Sequence, residues 1–268
     1  ETWNMDPELL ETAIQDRLNK GVRPKAIILV HLYGMPAKIK EIMSIAEKYD
    51  IPVVEDAAEA LGSSYQGQQV GSFGEMGILS FNGNKIITTS GGGALVSSKK
   101  KYTGNALFLA TQAKEPSPHY EHSAVGFNYR MSNISAGIGR GQMEVINKRI
   151  QQRRENFEFY YNELCKFNGV QFLIENGHYF SNYWLTTLLI DKNGSSKEDV
   201  WNALHKENID ARPLWKPMHL QPVFKNYPVY RNGVAERLFS KGLCLPSGSN
   251  LTGEEKKRIV RIIRNALD

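Results

Sequence analysis

The amino-acid sequence predicts an α/β protein, with a large domain built on a mostly parallel sheet and a smaller α+β domain after it. Residues 25–32 (KAIILVHL) and 51–56 (IPVVED) are apolar runs of the kind found in strands buried on both faces. Between them, residues 39–49 place apolar side chains at helical spacing. Strand, helix and strand in this order predict a right-handed βαβ unit in a parallel sheet.

The first helix is predicted from its start and stop signals. Asp6 is a suitable N-cap, Pro7 suits the first helical position, and Glu8 adds an acid to the first turn. The helix should run to Asn19 and stop near Gly21. After residue 56 we expect a turn, two strands around a polar loop, a helix and an irregular loop, in that order, at residues 66–71, 78–81, 94–98, 100–112 and 115–120.

A long charged helix at residues 146–167 is expected to bridge the two domains. The large domain would then comprise residues 1–147, and the bridging helix and small domain residues 148–268. Ser132 is the expected N-cap of a glycine-containing helix before the bridge. In the small domain we expect three strands, at residues 183–190, 209–214 and 244–246. We also expect two helices that begin with capping boxes, at residues 195–198 and 252–255.

Composition limits the class of protein. The 268 residues are 41% apolar and 23% charged, which is typical of a folded globular chain. The net charge of +5 fits acidic small molecules such as a phosphate cofactor and a nucleotide sugar. The basic clusters at residues 99–101 and 149–154 are best explained as solvated helix faces, so we expect no nucleic-acid partner.

Three further features indicate the compartment. Cys165 and Cys244 are far apart and lack metal-ligand spacing, so reduced thiols in a cytoplasmic protein are the simplest interpretation. The sequence has no apolar run of about 18 residues, so we expect no membrane span. The given sequence opens with no signal-peptide pattern.

Two residues indicate chemistry. Lys85 lies between apolar runs and is followed by glycines at residues 91–93; an amine in apolar surroundings loses its proton more easily and can attack a carbonyl. Asp56 ends the run at residues 51–56, and α/β folds place ligand contacts at such strand ends. A lysine that forms a Schiff base and an aspartate facing a pyridine nitrogen are the protein side of pyridoxal phosphate chemistry. The alternatives are a surface lysine on a loop and a helix N-cap.

The stretches VEDAAEALGS (54–63) and LSFNGNKIITTSGGGALVS (79–97) resemble the DegT/DnrJ/EryC1/StrS family of sugar aminotransferases, and the resemblance runs from Trp3 to the C-terminus. It implies the aspartate-aminotransferase-like fold (fold type I), pyridoxal 5'-phosphate as cofactor and no metal. It is strongest to enzymes that aminate UDP-4-keto-6-deoxy-N-acetylglucosamine in bacillosamine-type and exopolysaccharide pathways. The implied reaction moves nitrogen from glutamate to the 4-keto group of a nucleotide-linked sugar.

The resemblance also implies roles for cofactor-binding residues. Lys85 would hold the cofactor and move the proton, and Asp56 would face the pyridine nitrogen. Ser80 would bind the phosphate, and Asn128 would reach it from the neighbouring subunit of a homodimer. Glu59 aligns where relatives often carry Gln or His beside the phenolic oxygen, a departure that leaves its role open between cofactor contact and exposed helix residue.

Four more residues are expected at the substrate site. Arg130 would contact an acidic group of the substrate, and Arg212, Lys216 and His219 would lie over the mouth of the site. The alternatives without a function are a surface arginine for Arg130 and a loop histidine for His219. His31, at a strand end, is a weaker candidate for the cofactor side. Gly91 replaces a glutamate that is frequent in the family, and nothing in the sequence explains that change.

Competing interpretations remain open. The acceptor could be a dTDP-linked or 3-keto sugar, or the chain could be a scaffold or sensor that keeps the cofactor pocket without turnover. A dehydrogenase of the Rossmann type is disfavoured because no Gly-x-Gly-x-x-Gly follows an early strand. Family members carry on the order of 100 residues before the position of Trp3, more than half a domain. We therefore expect an N-terminally truncated chain that lacks the phosphate-binding helix and the stacking aromatic, and that is inactive alone.

Overall fold

A computed structural model describes residues 2–191 and 194–268 of the chain. Its α-helices are α1 (Pro7–Asn19), α2 (Ile39–Lys48), α3 (Lys100–Ala110), α4 (Asn133–Glu144), α5 (Ile146–Leu164), α6 (Lys197–Lys206), α7 (Val234–Lys241) and α8 (Gly253–Leu267). Its strands are β1 (Ile27–Val30), β2 (Val53–Asp56), β3 (Ser64–Tyr65), β4 (Gln68–Gln69), β5 (Met76–Ser80), β6 (Gly93–Val96), β7 (Val170–Phe172), β8 (Tyr179–Phe180), β9 (Thr186–Ile190), β10 (Arg212–Pro213) and β11 (Gly242–Leu245).

The first sheet has the order β1-β2-β5-β6. Strands β1, β2 and β5 are parallel, and β6 is antiparallel to β5. In this register Asp56 pairs with Val30 on one side and Ile78 on the other, so it lies at the carboxyl edge of the parallel strands. The mostly parallel sheet predicted from the apolar runs is confirmed, and the β1–α2–β2 unit forms its start.

The second sheet is antiparallel, with the order β10-β11-β9-β7. Helices α5, α6 and α8 contribute buried side chains to the same apolar core as this sheet. A three-stranded sheet, β4-β3-β8, joins the hairpin after β2 to the segment that leads into β9. The division at residue 147 stays a prediction.

Helix starts follow the local chemistry. The Asp6 carboxylate accepts hydrogen bonds from the backbone N–H groups of Glu8 and Leu9, as its N-cap position predicts. The box at α8 is also as predicted, but that at α6 is displaced by one residue. Its N-cap is Ser196 with Asp199 as the reciprocal acid, because the hydroxyl of Ser195 bonds instead to the carbonyl of Leu267.

Some predicted bounds are wrong for identifiable reasons. The strand expected from residue 183 begins at Thr186, because Tyr183 has a left-handed backbone (φ 45°) and Asn182 turns the chain. The run at 25–32 forms a strand only from Ile27 to Val30, and a turn containing Tyr33 (φ 58°) follows it. Helix α7 was not predicted at all.

Helices α3 and α4 have no buried residue. Large apolar side chains around them face solvent, among them Val125, Tyr129 and Ile134, each at least 78% exposed. Among the glycines of α4, an added Cβ would lie 3.0 Å from Thr89 at Gly139 but would meet nothing within 4 Å at Gly137 and Gly141. None of the helices in the described ranges is long and apolar enough to cross a membrane.

Candidate active site

Two neighbouring carboxylates end strand β2 and point to opposite faces, as the two-residue period of a strand requires. Glu55 is fully buried, and its oxygens accept backbone N–H bonds from Gly71 (2.7 Å), Phe73 (2.6 Å) and Gly74 (2.7 Å). Burial raises the pKa of Glu55, but the bonds from His31, Gly74 and Gly71 outweigh it and the net shift is downward. Glu55 is therefore an ionised structural anchor.

His31 belongs to this anchor and not to the cofactor side, contrary to the sequence expectation. Its Nδ1 accepts the backbone N–H of Ala37 at 3.1 Å, so Nε2 carries the hydrogen and donates to Glu55 at 3.0 Å. The ring is fully buried. Hydrogen bonds from His31 and from the backbone N–H groups of residues 71, 73 and 74 thus surround the Glu55 carboxylate. This cage around Glu55 fixes the end of the strand that carries Asp56.

Asp56 faces the other side and is half-buried. Its Oδ1 accepts the backbone N–H of Ala58 at 3.1 Å, the contact expected of a residue that opens a turn after a strand. The second carboxylate oxygen has no contact among the described residues. Both interpretations of Asp56 therefore fit: it caps the turn with one oxygen and offers the other.

Glu59 lies one turn beyond, and its side chain is 14% exposed. Its Oε2 accepts the backbone N–H of Tyr33 at 2.7 Å, and its Oε1 accepts the indole N–H of Trp215 at 3.3 Å. Burial raises the pKa of Glu59, the Tyr33 N–H and the charge of Lys85 lower it, and the net shift is upward. The charge of Asp56 also raises it.

Lys85 reaches the same place from the loop between β5 and β6. Its side chain is 13% exposed, and its Nζ lies 3.8 Å from Oε1 of Glu59. The amine also sits 4.2 Å from the centroid of the Trp184 ring. The Lys85 amine is therefore flanked by the Glu59 carboxylate and the Trp184 indole. The neighbouring isoleucines, Ile86 and Ile87, pack against Ile150 instead.

Four residues missed by the sequence analysis build this arrangement: Tyr33, Asn182, Trp184 and Trp215. Asn182 is fully buried, and its Nδ2 donates to the carbonyls of Glu59 and Leu61, both at 3.0 Å. The Tyr33 hydroxyl accepts the backbone N–H of Trp215 at 2.8 Å. The signal available was weak, because only Trp215 lay in a stretch already marked by proline and basic residues.

Other predicted residues lie further out. Ser80 ends β5, beside the strand of Asp56, and its hydroxyl accepts the N–H of Asn82 at 3.4 Å. Asn128 and Arg130 are exposed on the segment beside α3, where the backbone N–H of Arg130 bonds to Ala110 at 3.1 Å. Within the described part of the chain, no hydrogen bond, ion pair or ring contact joins the side chains of this segment to Lys85.

The predicted substrate residues of the small domain differ in their exposure and in their ion-pair partners. Arg212 is 69% exposed, and its guanidinium pairs with Asp210 at 3.2 Å. Lys216 is also exposed. His219 is held by Glu236, its Nε2 lying 2.9 Å from Oε1, and Arg231 pairs with the same oxygen at 2.8 Å. Within the described residues no cluster of His, Cys, Asp and Glu could hold a metal ion.

Comparisons with known proteins agree with one another. The model of the DegT/DnrJ/EryC1/StrS aminotransferase family matches residues 1–264. The chain is 51% identical to EpsN of Bacillus subtilis, named as a pyridoxal phosphate-dependent aminotransferase, over 98% of this chain and 69% of that protein. It is 34% identical to GDP-perosamine synthase of Escherichia coli O157:H7, over 95% of this chain and 67% of that enzyme. A crystal structure of a DegT DnrJ EryC1 StrS aminotransferase from Brucella abortus aligns with a TM-score of 0.89 at 26% identity, over 98% of this chain and 70% of that one.

Proposed function

The chain belongs to the DegT/DnrJ/EryC1/StrS aminotransferase family, and on that premise we propose that it transfers an amino group from glutamate to the 4-keto group of a nucleotide-linked 4-keto-6-deoxy-N-acetylhexose. The cofactor is pyridoxal 5'-phosphate, as the name of its relative EpsN indicates for that protein. The product would serve polysaccharide or glycoconjugate biosynthesis in the cytoplasm.

The donor set around Lys85 fits this cofactor. A shielded primary amine is available for an aldehyde, and Asp56 keeps one carboxylate oxygen uncommitted for a pyridine nitrogen. Ser80 offers a hydroxyl on the adjacent strand for a phosphate. When bound, pyridoxal phosphate supplies the electron sink that stabilises negative charge on the substrate carbon. The observation that carries the proposal is the 3.8 Å approach of the Lys85 amine to Glu59, which follows Asp56 by three residues at the carboxyl edge of the parallel strands.

Proton movement would be the task of Lys85. Its amine is the group that can take a proton from the substrate carbon and return it to the neighbouring position, acting as base and then as acid. Glu59 would stabilise the ammonium form between these two steps, since its carboxylate lies 3.8 Å from the amine. The Trp184 ring and the Glu59 carboxylate exclude bulk water from two sides of the amine.

Borohydride trapping tests the role of Lys85. After incubation with pyridoxal phosphate and reduction, peptide mapping should find the cofactor on Lys85. The Lys85→Arg variant should lose the adduct and the visible absorbance, whereas Lys99→Arg, which alters an exposed lysine paired with Glu75, should keep both. An adduct that persists in Lys85→Arg, or forms chiefly on other lysines of the wild type, contradicts the proposal.

The nucleotide and the carbon are separated by a substrate panel. Amination should be fastest with the UDP-linked 4-keto-6-deoxy-N-acetyl sugar. It should be slower with the GDP-linked and dTDP-linked sugars and with sugars that carry a 3-keto group. The GDP-linked sugar is included because one relative is a GDP-perosamine synthase. A faster rate with an acceptor sugar linked to another nucleotide, or with a 3-keto sugar, reassigns the substrate. Cofactor binding without turnover of any member favours the sensor or scaffold alternative.

Assays on residues 1–268 alone test a second part of the proposal. We expect the chain to be inactive unless the remaining part is supplied, because this chain spans 69% of its relative EpsN and the resemblance assigns cofactor contacts to the remaining part. Robust turnover by residues 1–268 alone contradicts this expectation.

We also propose a homodimer with shared sites. Support comes from Phe127 and Tyr129, whose exposed rings stack at 5.0 Å on either side of Asn128, and from an apolar groove of about 590 Å³ between α4 and the lysine loop. Sedimentation should show a dimer that Tyr129→Ser weakens. Tyr227→Ser, which alters a tyrosine 65% exposed in the segment before α7, should leave it intact; a monomeric wild type overturns the proposal.

A further inference from the structure

We propose that Trp184 and Trp215 are positioning residues for Lys85 and Glu59, so that two indoles from the second half of the chain align the proton-carrying pair of the first half. The proposal rests on the role given above to Lys85. Both indoles come from elements that precede or follow strands of the second sheet, whereas Glu59 and Lys85 follow strands of the first. The pair is therefore aligned only when the two sheets are correctly docked.

Trp184 acts on Lys85 through its ring. The residue is 2% exposed, and its indole N–H donates to the carbonyl of Asn84 at 2.8 Å. This bond ties the ring to the residue next to Lys85 and leaves the ring face 4.2 Å from Nζ. An ammonium over an indole face is attracted by the ring quadrupole, most strongly where water is excluded. The ring therefore fixes the position of the amine against its face.

Trp215 acts on Glu59 through its indole N–H. The donor lies 3.3 Å from Oε1, the same oxygen that faces Lys85. The ring packs against Tyr33 with centroids 5.5 Å apart, and its backbone N–H bonds to the Tyr33 hydroxyl. Tyr33 in turn donates its own backbone N–H to the other oxygen of Glu59. Both carboxylate oxygens are thus held by one connected pair of residues.

A single buried amide links Trp184 to Glu59. Asn182 accepts the backbone N–H of Trp184 at 2.8 Å and donates to the carbonyl of Glu59 at 3.0 Å. No space is left for adjustment at this junction, since a Cβ added to Gly34 would lie 1.9 Å from Oδ1 of Asn182. The indole under the lysine and the backbone of the glutamate are consequently fixed relative to each other.

Reductive methylation of Lys85 measures the effect without any cofactor. The rate of reaction with formaldehyde and borohydride, followed by mass spectrometry of the Lys85 peptide, rises with pH as the amine loses its proton. Trp184→Leu should move the midpoint of this curve down by roughly 0.5–1 pH unit, because the ammonium loses the ring face. Trp184→Phe, which keeps a smaller ring, should restore part of the shift and covers the case in which the leucine variant does not fold.

Trp215→Phe keeps an aromatic ring but removes the donor to Glu59. The midpoint should fall by less, roughly 0.3 pH unit, because Oε1 of Glu59 loses the donor that keeps it facing the amine. Other titratable groups near Glu59 are Asp56, Tyr33 and Cys244, and none is altered by this variant. On a Glu59→Gln background the same change should add nothing, since Trp215 would act through the carboxylate.

Trp201→Phe is the matched control. Its indole also donates to a backbone carbonyl, that of Ala211 at 2.8 Å, within the core of the second sheet. Its midpoint should equal that of the wild type. An unshifted midpoint in both Trp184 variants, a shift of Trp215→Phe that survives in Glu59→Gln, or a Lys85 that no pH makes reactive would each overturn the proposal. Failure of the proposed function is read separately, as absence of trapped cofactor on Lys85.

Discussion

The cage around Glu55 and the pocket around Glu59 treat two glutamates, four residues apart and both shielded from water, in opposite ways. Glu55 has three backbone N–H donors and the imidazole N–H of His31, and its pKa falls despite burial. Glu59 has one backbone N–H and one long indole contact, and its pKa rises because burial prevails. The number of donors, and not depth, decides which carboxylate holds its charge.

This difference separates a structural acid from a chemical one. An ionised carboxylate whose lone pairs all accept hydrogen bonds does not readily take up a proton, whereas one with few donors responds to a nearby amine. Only the donor-poor acid lies beside Lys85. The comparison therefore gives Glu55 a structural role and supports the proposed role of Glu59 as the counter-charge of Lys85. Variants that remove either carboxylate test it.

The largest effect is expected at the cage. Glu55→Ala should lower the free energy of unfolding by about 3–5 kcal/mol, because it leaves His31 and three buried N–H groups without an acceptor. Urea denaturation measures it. Glu75→Ala, which removes a surface glutamate paired with Lys99, should cost below about 1 kcal/mol. Equal costs for the two variants would show that the cage is not a structural anchor.

At the pocket we expect activity to change and stability to remain. Glu59→Gln should reduce the amination rate roughly 10²-fold, because the amine loses its counter-charge. The free energy of unfolding should stay within about 1 kcal/mol of the wild type, since an amide oxygen can still accept the N–H of Tyr33. Glu47→Gln, on the exposed face of α2, is the control for both measurements. A fully active Glu59→Gln would remove Glu59 from the chemistry.

The smallest effect is a pH dependence that runs in opposite directions for the two acids. The folded-state pKa of Glu59 lies above its usual 4.5, so stability from the neutral carboxyl is present below 4.5 and is lost as pH rises through the folded value. Urea unfolding should therefore show wild type and Glu59→Gln diverging as pH rises above 4.5, with the variant the more stable. For Glu55 the pKa is lowered, so its contribution is present above 4.5 and is lost as pH falls through the folded value. A wild-type curve parallel to that of Glu59→Gln would contradict the upward shift.

The sequence predicted the fold well where one local signal decided the outcome. The apolar runs of β1 and β2 and the caps at Asp6, Ser132 and Thr252 depend on neighbours within a few residues. The start of β9 could not be predicted in this way, since Asn182 turns the chain there only because it docks against residues 59–61. The same holds for the cap at Ser196, where two acids suited the pattern and packing at Leu267 decided between them.

The sequence allowed prediction of those site residues whose side chains are themselves chemically reactive. A lysine in a loop and an aspartate at a strand end were visible, and the lysine amine lies 3.8 Å from Glu59, three residues after that aspartate. The indoles were not, because Trp184 and Trp215 lie more than 95 positions beyond Lys85 in the chain and look like core and loop aromatics. Asn128, Arg130, Arg212, Lys216 and His219 stay predictions, since their partners in the proposed function are molecules other than this chain.

Strands β1 and β6 are the outer members of the first sheet, and Ile28 on β1 is 63% exposed. A sheet margin that is extended, apolar and without a neighbour within the described ranges is a template on which another extended segment can add. Concentrated solutions of residues 1–268 should therefore form edge-to-edge aggregates that bind amyloid dyes, and a lysine in place of Ile28 should delay them. The same backbone geometry that presents Asp56 at one end of the sheet thus sets a practical ceiling on the concentration at which the protein can be handled.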